Sequence, residues 1–354
     1  MALLSPITRQ KLRRFRSLKR GWWSFLLLVA LTFISLFSEM IANSRALVVR
    51  SQGSWYFPTY GDIIPGKTFG LDYDYETDYR ALRDKFSSEN KGGWVLMPPI
   101  PWNPTETDAQ EGVMHPAAPT AARRHLLGTD KTGRDVLSRL IYGYRNNMMF
   151  AMAYTLGVYL AGVVLGCLMG WLGGKVDLLG QRVVEVWQSV PFLYTVMIAV
   201  SIMPVGLSLW MRITILLLIM VFLSWMGIAR YMRAATLKEK SRDYTASARL
   251  LGAGQGRIIF RHILPNTLAT LVTFLPFTVA GAIASLTALD FLNFGLPPPT
   301  PSWGELLAQG MENLYAEWLV VSAFSAIAIA LTLVTFTGEA LREAFDPKKY
   351  TTYQ

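Results

Sequence analysis

NMMFAMAYTLGVYLAGVVLGCLMGWL, residues Asn147–Leu172, is an apolar run. It is long enough to cross a bilayer, which takes about 20 residues as a helix. Working outward, Trp22–Phe37 precedes it, and Val190–Met203, Ile213–Ala229, Leu268–Leu289 and Trp318–Phe336 follow. Together they predict an all-α integral membrane protein with six transmembrane helices. Val190–Met203 is short, and Pro204 and Gly206 mark a tight turn behind it. Pro276 lies inside the fifth run and predicts a kink, tolerated where neighbouring helices satisfy the freed carbonyl. Gly166 and Gly170 form a Gly-x-x-x-Gly pair, and Gly281, Ala282 and Ala284 add small residues. Such positions permit close helix packing.

Composition agrees. The 354 residues are 52% hydrophobic and 16% charged, where a soluble domain averages about 25% charged. Mean hydropathy is +0.31. A net charge of +10 would suggest nucleic acid if the cations formed a patch on a soluble domain. Here they sit beside apolar runs, so they read as membrane orientation and no nucleic-acid partner is expected. Cys167 is the single cysteine, and His115, His125 and His262 are widely spaced. No disulfide, no metal site and no catalytic residues are expected.

The chain divides into five parts. Residues 1–21 are a basic tail with Arg9, Lys11, Arg13, Arg14, Arg16, Lys19 and Arg20 and no acid. Residues 22–41 hold the first span, too long an apolar run for a signal-peptide core of about 7–15 residues. Residues 42–146 form an extramembrane insert rich in Pro, Asp, Tyr and Trp, with a short helix expected near Tyr79–Phe86. Residues 147–342 carry the remaining spans, and 343–354 are a second tail. Placing the N-terminus in the cytoplasm makes the loops at 173–189 and 230–264 cytoplasmic, and the C-terminus with them. The second loop carries Arg230, Arg233, Lys238, Lys240, Arg242, Arg249, Arg257 and Arg261 against Glu239 and Asp243, as the positive-inside rule requires. The basic residues Arg123–Arg145 lie on the outer side in this topology, in a loop longer than the about 60 residues over which the rule acts.

Gly61–Thr68, GDIIPGKT, matches the phosphate-loop pattern G-x-x-x-x-G-K-[ST]. No hydrophobic strand leads into Gly61, and Pro65 removes a backbone N–H that a phosphate cradle uses. Asp72, Asp74 and Glu76 then follow, where a phosphate favours a helix start without acids. The match reads as chance. A membrane-anchored ATPase or enzyme built on residues 42–121 finds no catalytic grouping to support it.

The most informative loop is DYTASARLLGAGQGRIIFRHILPN, Asp243–Asn266. Tyr244, Ala248 and Leu251 recur at helical spacing and predict one shared face. Ala246, Ser247 and Ala248 are small enough for close approach to a partner. Gly252, Gly254 and Gly256 end or turn the helix, and Pro265 suits the start of the next span. A short helix of this kind on the cytoplasmic side fits a groove on another protein.

This loop resembles the coupling loop of ABC importer permeases, a pattern of Glu-Ala-Ala, three residues, Gly, nine residues, Ile-x-Leu-Pro. Ala248, Gly252, Leu264 and Pro265 fall on its positions, while Ala246, Ser247 and His262 depart from it. The departures are similar to the peptide-transporter branch, matched by Tyr244, Ala248, Arg249, Gly252 and Arg261–Asn266. HLLGTDKTGRDVLSRLIYGYR, His125–Arg145, resembles the LGTDxxGRDxxSRxxxGxR stretch of the dipeptide, oligopeptide and nickel importer permeases. On physical grounds Asp135 and Arg139 are an i,i+4 pair there, and Val136, Leu137, Leu140 and Ile141 favour an interfacial helix. LTALDFLNFGLPPPTPSWGELL, Leu286–Leu307, and GEALREAFDPKK, Gly338–Lys349, are similar to two further segments of the same family. Gly53–Pro58 and Asn90–Ile100 look like its Yej-type branch, whose importer also admits peptide antibiotics of the microcin C class.

The resemblance implies the type I ABC importer permease fold, with a large extracytoplasmic insert between helices 1 and 2. It implies a peptide cargo in a bacterial inner membrane, a second homologous permease, a cytoplasmic ABC ATPase and a periplasmic or lipoprotein binding protein. ATP and Mg would be bound by the partner ATPase, and this chain would hold no cofactor. Tyr244, Ala246, Ser247, Ala248, Arg249, Gly252, Leu264 and Pro265, within the coupling loop 243–265, are the expected ATPase-coupling residues. Asp290, an acid at a span end, is a candidate for the translocation path. Two alternatives stay open: an ATPase-independent channel or ion-driven carrier, and a nickel or other solute importer of the same family.

Overall fold

A computed structural model describes residues 6–89, 92–109 and 112–345. The chain forms two compact units. The first comprises the described residues of 1–29, 148–289 and 329–354, and the second those of 30–147 and 290–328.

The helices in and beside the longer apolar stretches are α1 (Pro6–Ser17), α2 (Lys19–Ser35), α5 (Val136–Leu172), α6 (Gly174–Gln188), α7 (Phe192–Ser201), α8 (Leu209–Phe222), α9 (Met226–Lys240), α13 (Leu275–Phe291) and α15 (Glu317–Phe345), with the four-residue α3 (Ser38–Ile41) after α2. Between them lie α10 (Asp243–Leu250), α11 (Gln255–Ile258) and α12 (Leu264–Leu271). Residues Val136–Leu172, Val272–Phe291 and Glu317–Phe345 are each long and apolar enough to cross a membrane. The pairs α1 with α2, α6 with α7, and α8 with α9 pass the same test together, bent by 97°, 77° and 45°. Counting each bent pair once brings the total to six.

The bends depart from the expected runs. The stretch at 173–189, read as a loop, is helix α6. Its Val and Leu residues are interrupted by Asp177, Arg182 and Glu185, so no continuous apolar run advertises it. The run Ile213–Ala229 is broken at Leu223–Trp225, and α9 continues to Lys240. Arg, Met, Ala, Leu, Lys and Glu dominate that continuation, and all are strong helix formers. The break is partly satisfied by Trp187, whose indole N–H donates to the Phe222 carbonyl at 3.2 Å. At the expected kink, a 3₁₀ turn over Val272–Phe274 separates α12 from α13. Pro276 thus sits in the first turn of α13, where an N–H has no intrahelical bond to lose.

Within the first unit, α5 meets α9 along a stripe of glycines. A Cβ on Gly162 would lie 2.6 Å from the Ile228 Cβ, and one on Gly166 2.7 Å from the Met232 Cβ. On Gly170 it would lie 2.7 Å from the Arg233 carbonyl oxygen. The expected Gly166–Gly170 pair is therefore a helix-packing seam, extended one turn by Gly162.

The second unit corrects the all-α expectation. Strands β1 (Val48–Ser51), β2 (Ser54–Tyr56) and β3 (Trp94–Leu96) form an antiparallel sheet in the order β2-β1-β3. Arg50 stands opposite Trp55 on one side and Trp94 on the other. Gln52 and Gly53, at φ 50° and 82°, close the β1–β2 hairpin, as a two-residue primed turn demands. The strands are rich in Val, Trp and Tyr but too short for alternation to register. Helix α4 (Tyr79–Glu89) covers one face, and Val49, Phe69, Tyr79, Leu82 and Met97 make the core beneath it. Burial there pushes the Tyr79 hydroxyl up to about 12.

Replacing Gly166 with Leu forces α5 and α9 apart. Overpacking of this kind costs about 1–3 kcal/mol. Thermal unfolding of the purified protein in detergent should show a lower midpoint, while Gly281→Leu, where a Cβ meets nothing within 4 Å, should shift it far less.

Candidate functional site

Two sets of side chains stand out, one in each unit. In the first, the expected coupling residues fold as α10, its cap and the start of α12. Asp243–Leu250 form α10, and Leu251–Gly254 turn the chain into α11. Gly252 takes φ +79°. Its N–H donates to the Arg249 carbonyl at 2.9 Å, and the Ala253 N–H to the Ala248 carbonyl at 3.0 Å. These two bonds, with Ala248 and Ala253 in one apolar cluster, are a Schellman cap. Gly252 is needed for its left-handed backbone, since no atom lies within 4 Å of a Cβ placed there.

Beneath α10 lies Trp171, buried with Ile258 and Ile263 at the end of α5. Its indole N–H donates to Gln255 Oε1 at 3.2 Å, and the Arg249 guanidinium lies 4.7 Å from its ring. Lys240 Nζ donates to the Trp171 carbonyl at 2.6 Å. Tyr244 donates its hydroxyl to Glu239 Oε2 at 2.6 Å and accepts from Asn266 Nδ2 at 3.4 Å. Burial and the Glu239 carboxylate push that hydroxyl up, so it stays a donor. A π-helical turn, Ile259–Ile263, links α11 to α12, a form that recurs at functional sites.

The structure brings Tyr244 and Ala248 onto the inward face with buried Thr245, while Ala246, Ser247, Arg249, Gly252 and Pro265 are exposed. Leu264 packs half-buried against the cluster of Cys167, Met232 and Leu271. Leu251, expected to share one face with Tyr244 and Ala248, instead lies outside at 87% exposure, because the helix ends one residue before it. With its neighbour Leu250 at 90% it forms an apolar tip; Phe260 at 72%, Arg249, Arg257 and Arg261 are exposed as well. Leu250, Phe260, Trp171 and Gln255 were not singled out from the sequence. An apolar pair directly before a glycine cap was the available signal for Leu250 and Leu251.

In the second unit, two family-like segments far apart in sequence lock together. Asp130 Oδ1 accepts from the Thr132 N–H, the Thr132 hydroxyl and the Arg134 N–H at 2.9, 2.8 and 3.0 Å. Its Oδ2 accepts from Arg134 Nε at 2.7 Å and lies 3.5 Å from Arg139 Nε. Burial pushes the Asp130 carboxyl up, but Arg134, Arg139 and the turn's donors outweigh it and hold it below the usual carboxylate range. Helix α14 (Trp303–Glu312) supplies Glu305, which bridges Arg134 at 2.7 Å and the fully buried Arg139. Arg139 also donates to the Pro104 carbonyl at 3.0 Å. Ser302 caps α14 by accepting the Glu305 N–H at 3.1 Å, and the Trp303 indole donates to the Leu140 carbonyl at 3.0 Å.

The expected Asp135–Arg139 pair is therefore not made. Asp135 Oδ2 accepts the Ser138 N–H at 2.7 Å, capping α5, and its Oδ1 meets His125 Nδ1 at 2.9 Å. His125 Nε2 lies 3.3 Å from Asp108 Oδ2, and Trp102 stacks on the imidazole at 4.3 Å. The Val136–Ile141 stretch is the first turns of α5, with Val136 buried against Leu306 and Leu319. Asp290 is buried, and its Oδ1 accepts the Leu296 N–H at 2.6 Å, folding Phe291–Gly295 around it.

The phosphate-loop match has no cradle. Gly66–Phe69 is a 3₁₀ turn whose Gly66, Lys67 and Thr68 N–H groups donate to Tyr75, Tyr73 and Pro65 carbonyls. Lys67 Nζ lies 2.5 Å from Asp74. No group of three or more His, Cys, Asp and Glu residues suited to a metal occurs among the described residues.

Residues 162–350 match the family described as binding-protein-dependent transport system inner membrane component. The chain is 42% identical over 349 residues to the inner membrane ABC transporter permease protein YejE of Escherichia coli (strain K12), spanning 99% of both chains. It is 38% identical over 369 residues to the peptidoglycan transport system permease protein YejE of Agrobacterium fabrum, spanning 98% of this chain and 94% of the other. It is 30% identical over 342 residues to the dipeptide transport system permease protein DppC of Lactococcus lactis, spanning 95% of this chain and 89% of the other.

Two substitutions test these arrangements. Glu305→Gln keeps the shape of the bridge and leaves buried Arg139 short of countercharge. Losing one partner of a buried pair costs about 3–5 kcal/mol, and the unfolding midpoint in detergent should fall accordingly. Gly252→Val forces a branched residue into a left-handed backbone, at about 1–2 kcal/mol. Limited trypsin cleavage after Arg249 should accelerate, with global unfolding little changed.

Proposed function

This chain belongs to the binding-protein-dependent transport system inner membrane components, and from that premise we propose that it is one of two permease subunits in an ATP-driven importer of peptides. The observation that carries the reading is near full-length similarity to permeases named for dipeptide and peptidoglycan transport. Oligopeptides are the expected cargo, with peptide antibiotics of the microcin C class a further one. Nickel is disfavoured, since none of these names carries it.

In this reading six spans cross the inner membrane with both termini in the cytoplasm. The Leu250–Leu251 tip inserts into a groove on a partner ATPase, which binds ATP and Mg. Trp171 under Arg249 is the seat through which the tip's displacement reaches α5. A second, homologous permease completes the path, and a binding protein delivers peptide on the far side, where the insert lies. The spans then alternate between inward- and outward-open states by rigid-body movement. Asp290, with one oxygen committed to Leu296, contributes to the path by holding the loop after α13 in shape.

The test is co-expression with the second permease and the ATPase, followed by ATP-dependent uptake of a tripeptide into proteoliposomes carrying the binding protein. Burying one leucine is worth about 1.5–3 kcal/mol. Leu250→Ser with Leu251→Ser should therefore weaken ATPase co-purification at least about tenfold and abolish uptake. An ATPase held equally well by the double variant would refute the docking site. ATP hydrolysis by the purified chain alone, lost on Lys67→Ala, would overturn the reading as a whole.

A further inference from the structure

Helix α1 is strongly basic. Arg9, Lys11, Arg13, Arg14 and Arg16 lie on it, and Lys19 and Arg20 open α2, with no acid among residues 1–20. Only part of that charge is used within the protein. Arg14 lies 3.6 Å from Glu343, Lys11 sits over the Phe345 ring at 4.6 Å, and the Arg16 guanidinium sits over the Trp22 ring at 5.8 Å. Arg9, Arg13, Arg16, Lys19 and Arg20 are exposed and have no carboxylate partner among the described residues.

The helix is nonetheless held in place. Phe15 is buried against Ala340 and Ala344 of α15, with Leu18 and Trp22 beside it. At Gly21 a Cβ would lie 2.8 Å from the Phe336 carbonyl oxygen, so α2 touches α15 directly. Alpha-1 is bent 97° from α2. If α2 crosses the bilayer, a helix at right angles to it lies along the membrane surface. Arg9, Arg13 and Arg16 fall at i, i+4 and i+7, one stripe of that helix. Leu12 is 52% exposed and Trp23 67%, the apolar and aromatic groups that seat an interfacial helix at the headgroup level.

We propose that α1 and the first turn of α2 bind the phosphate headgroups of anionic phospholipids, through Arg9, Arg13, Arg16 and Arg20. The charge is complementary to an anionic leaflet, and the 97° bend sets it at the depth of the phosphates. Exposed leucine and tryptophan beside the cations favour lipid over free phosphate, which would gain nothing from them. The inference rests on the cytoplasmic placement of the N-terminus proposed above. Its consequence is a lipid-held clamp on the α2–α15 contact.

The experiment uses the full chain, purified with its partner subunits in detergent and exchanged into equal amounts of phosphatidylglycerol and phosphatidylcholine. Native mass spectrometry then counts the lipids retained. The wild type should keep phosphatidylglycerol in preference, and R9Q/R13Q/R16Q/R20Q should lose that preference at least about fivefold. The corresponding quadruple Lys variant should keep it. An unchanged preference in the Gln variant overturns the proposal, as does full displacement by millimolar inorganic phosphate. Loss of the ATPase from the Gln variant with lipid counts unchanged would assign the patch to protein docking instead and also overturn it. Topology is read separately, by labelling S17C with an impermeant maleimide in right-side-out and inverted vesicles. The native Cys167 is buried and stays silent. Label from the outer face alone removes the orientation reading, whereas the lipid count judges the headgroup site by itself.

Discussion

Glu305 stands between two arginines, one of them wholly buried, and the second unit is organised by that requirement. A buried guanidinium needs a countercharge and partners for its donors. Arg139 finds them in Glu305, Asp130 and the Pro104 carbonyl. Meeting that demand brings α14 against the turn at Thr129–Arg134 and the opening of α5. Ser302 starts α14 so that Glu305 falls on the correct side, and Asp135 starts α5 while tying it to His125. Each acid in the group does two jobs at once. Neutralising Asp130 therefore disturbs a turn as well as a charge, and neutralising Asp135 a helix start.

The first unit solves a different problem. Helices in lipid gain no hydrophobic drive from meeting one another, so closeness must come from small side chains. Gly162, Gly166 and Gly170 supply it for α5 against α9. The end of the same α5 provides Trp171, a broad floor on which α10 and α11 rest. Polar ties through Gln255, Lys240, Glu239 and Tyr244 then fix the short helix from several sides. A left-handed glycine ends it cleanly and leaves two leucines outside.

Much of this was legible in the sequence because long apolar runs, a glycine-ended loop and an insert rich in Pro and Tyr are local signals. The bent helices were not, since α6 and the end of α9 carry charges that hide their periodicity. The three strands of the insert are too brief for alternation to show. The ion network was the clearest failure. Asp135 and Arg139 stand four apart and invite pairing, yet the true partner of Arg139 is Glu305, distant along the chain. Spacing reports neighbours on one helix, and only the fold reports what another helix brings alongside. Leu251 leaves the face shared by Tyr244 and Ala248 for a related reason, because the helix stops just short of it.

Leu250 and Leu251 have one more implication, concerning supply. A chain synthesised without a partner carries these side chains bare, at 90% and 87% exposure. Exposed apolar groups of this kind invite aggregation and recognition by quality-control proteases. In the proposed assembly, the ATPase whose groove covers them would therefore act as a chaperone for this subunit. Unequal synthesis of the two would be corrected by degradation of the surplus, and stoichiometry in the membrane would follow the scarcer partner.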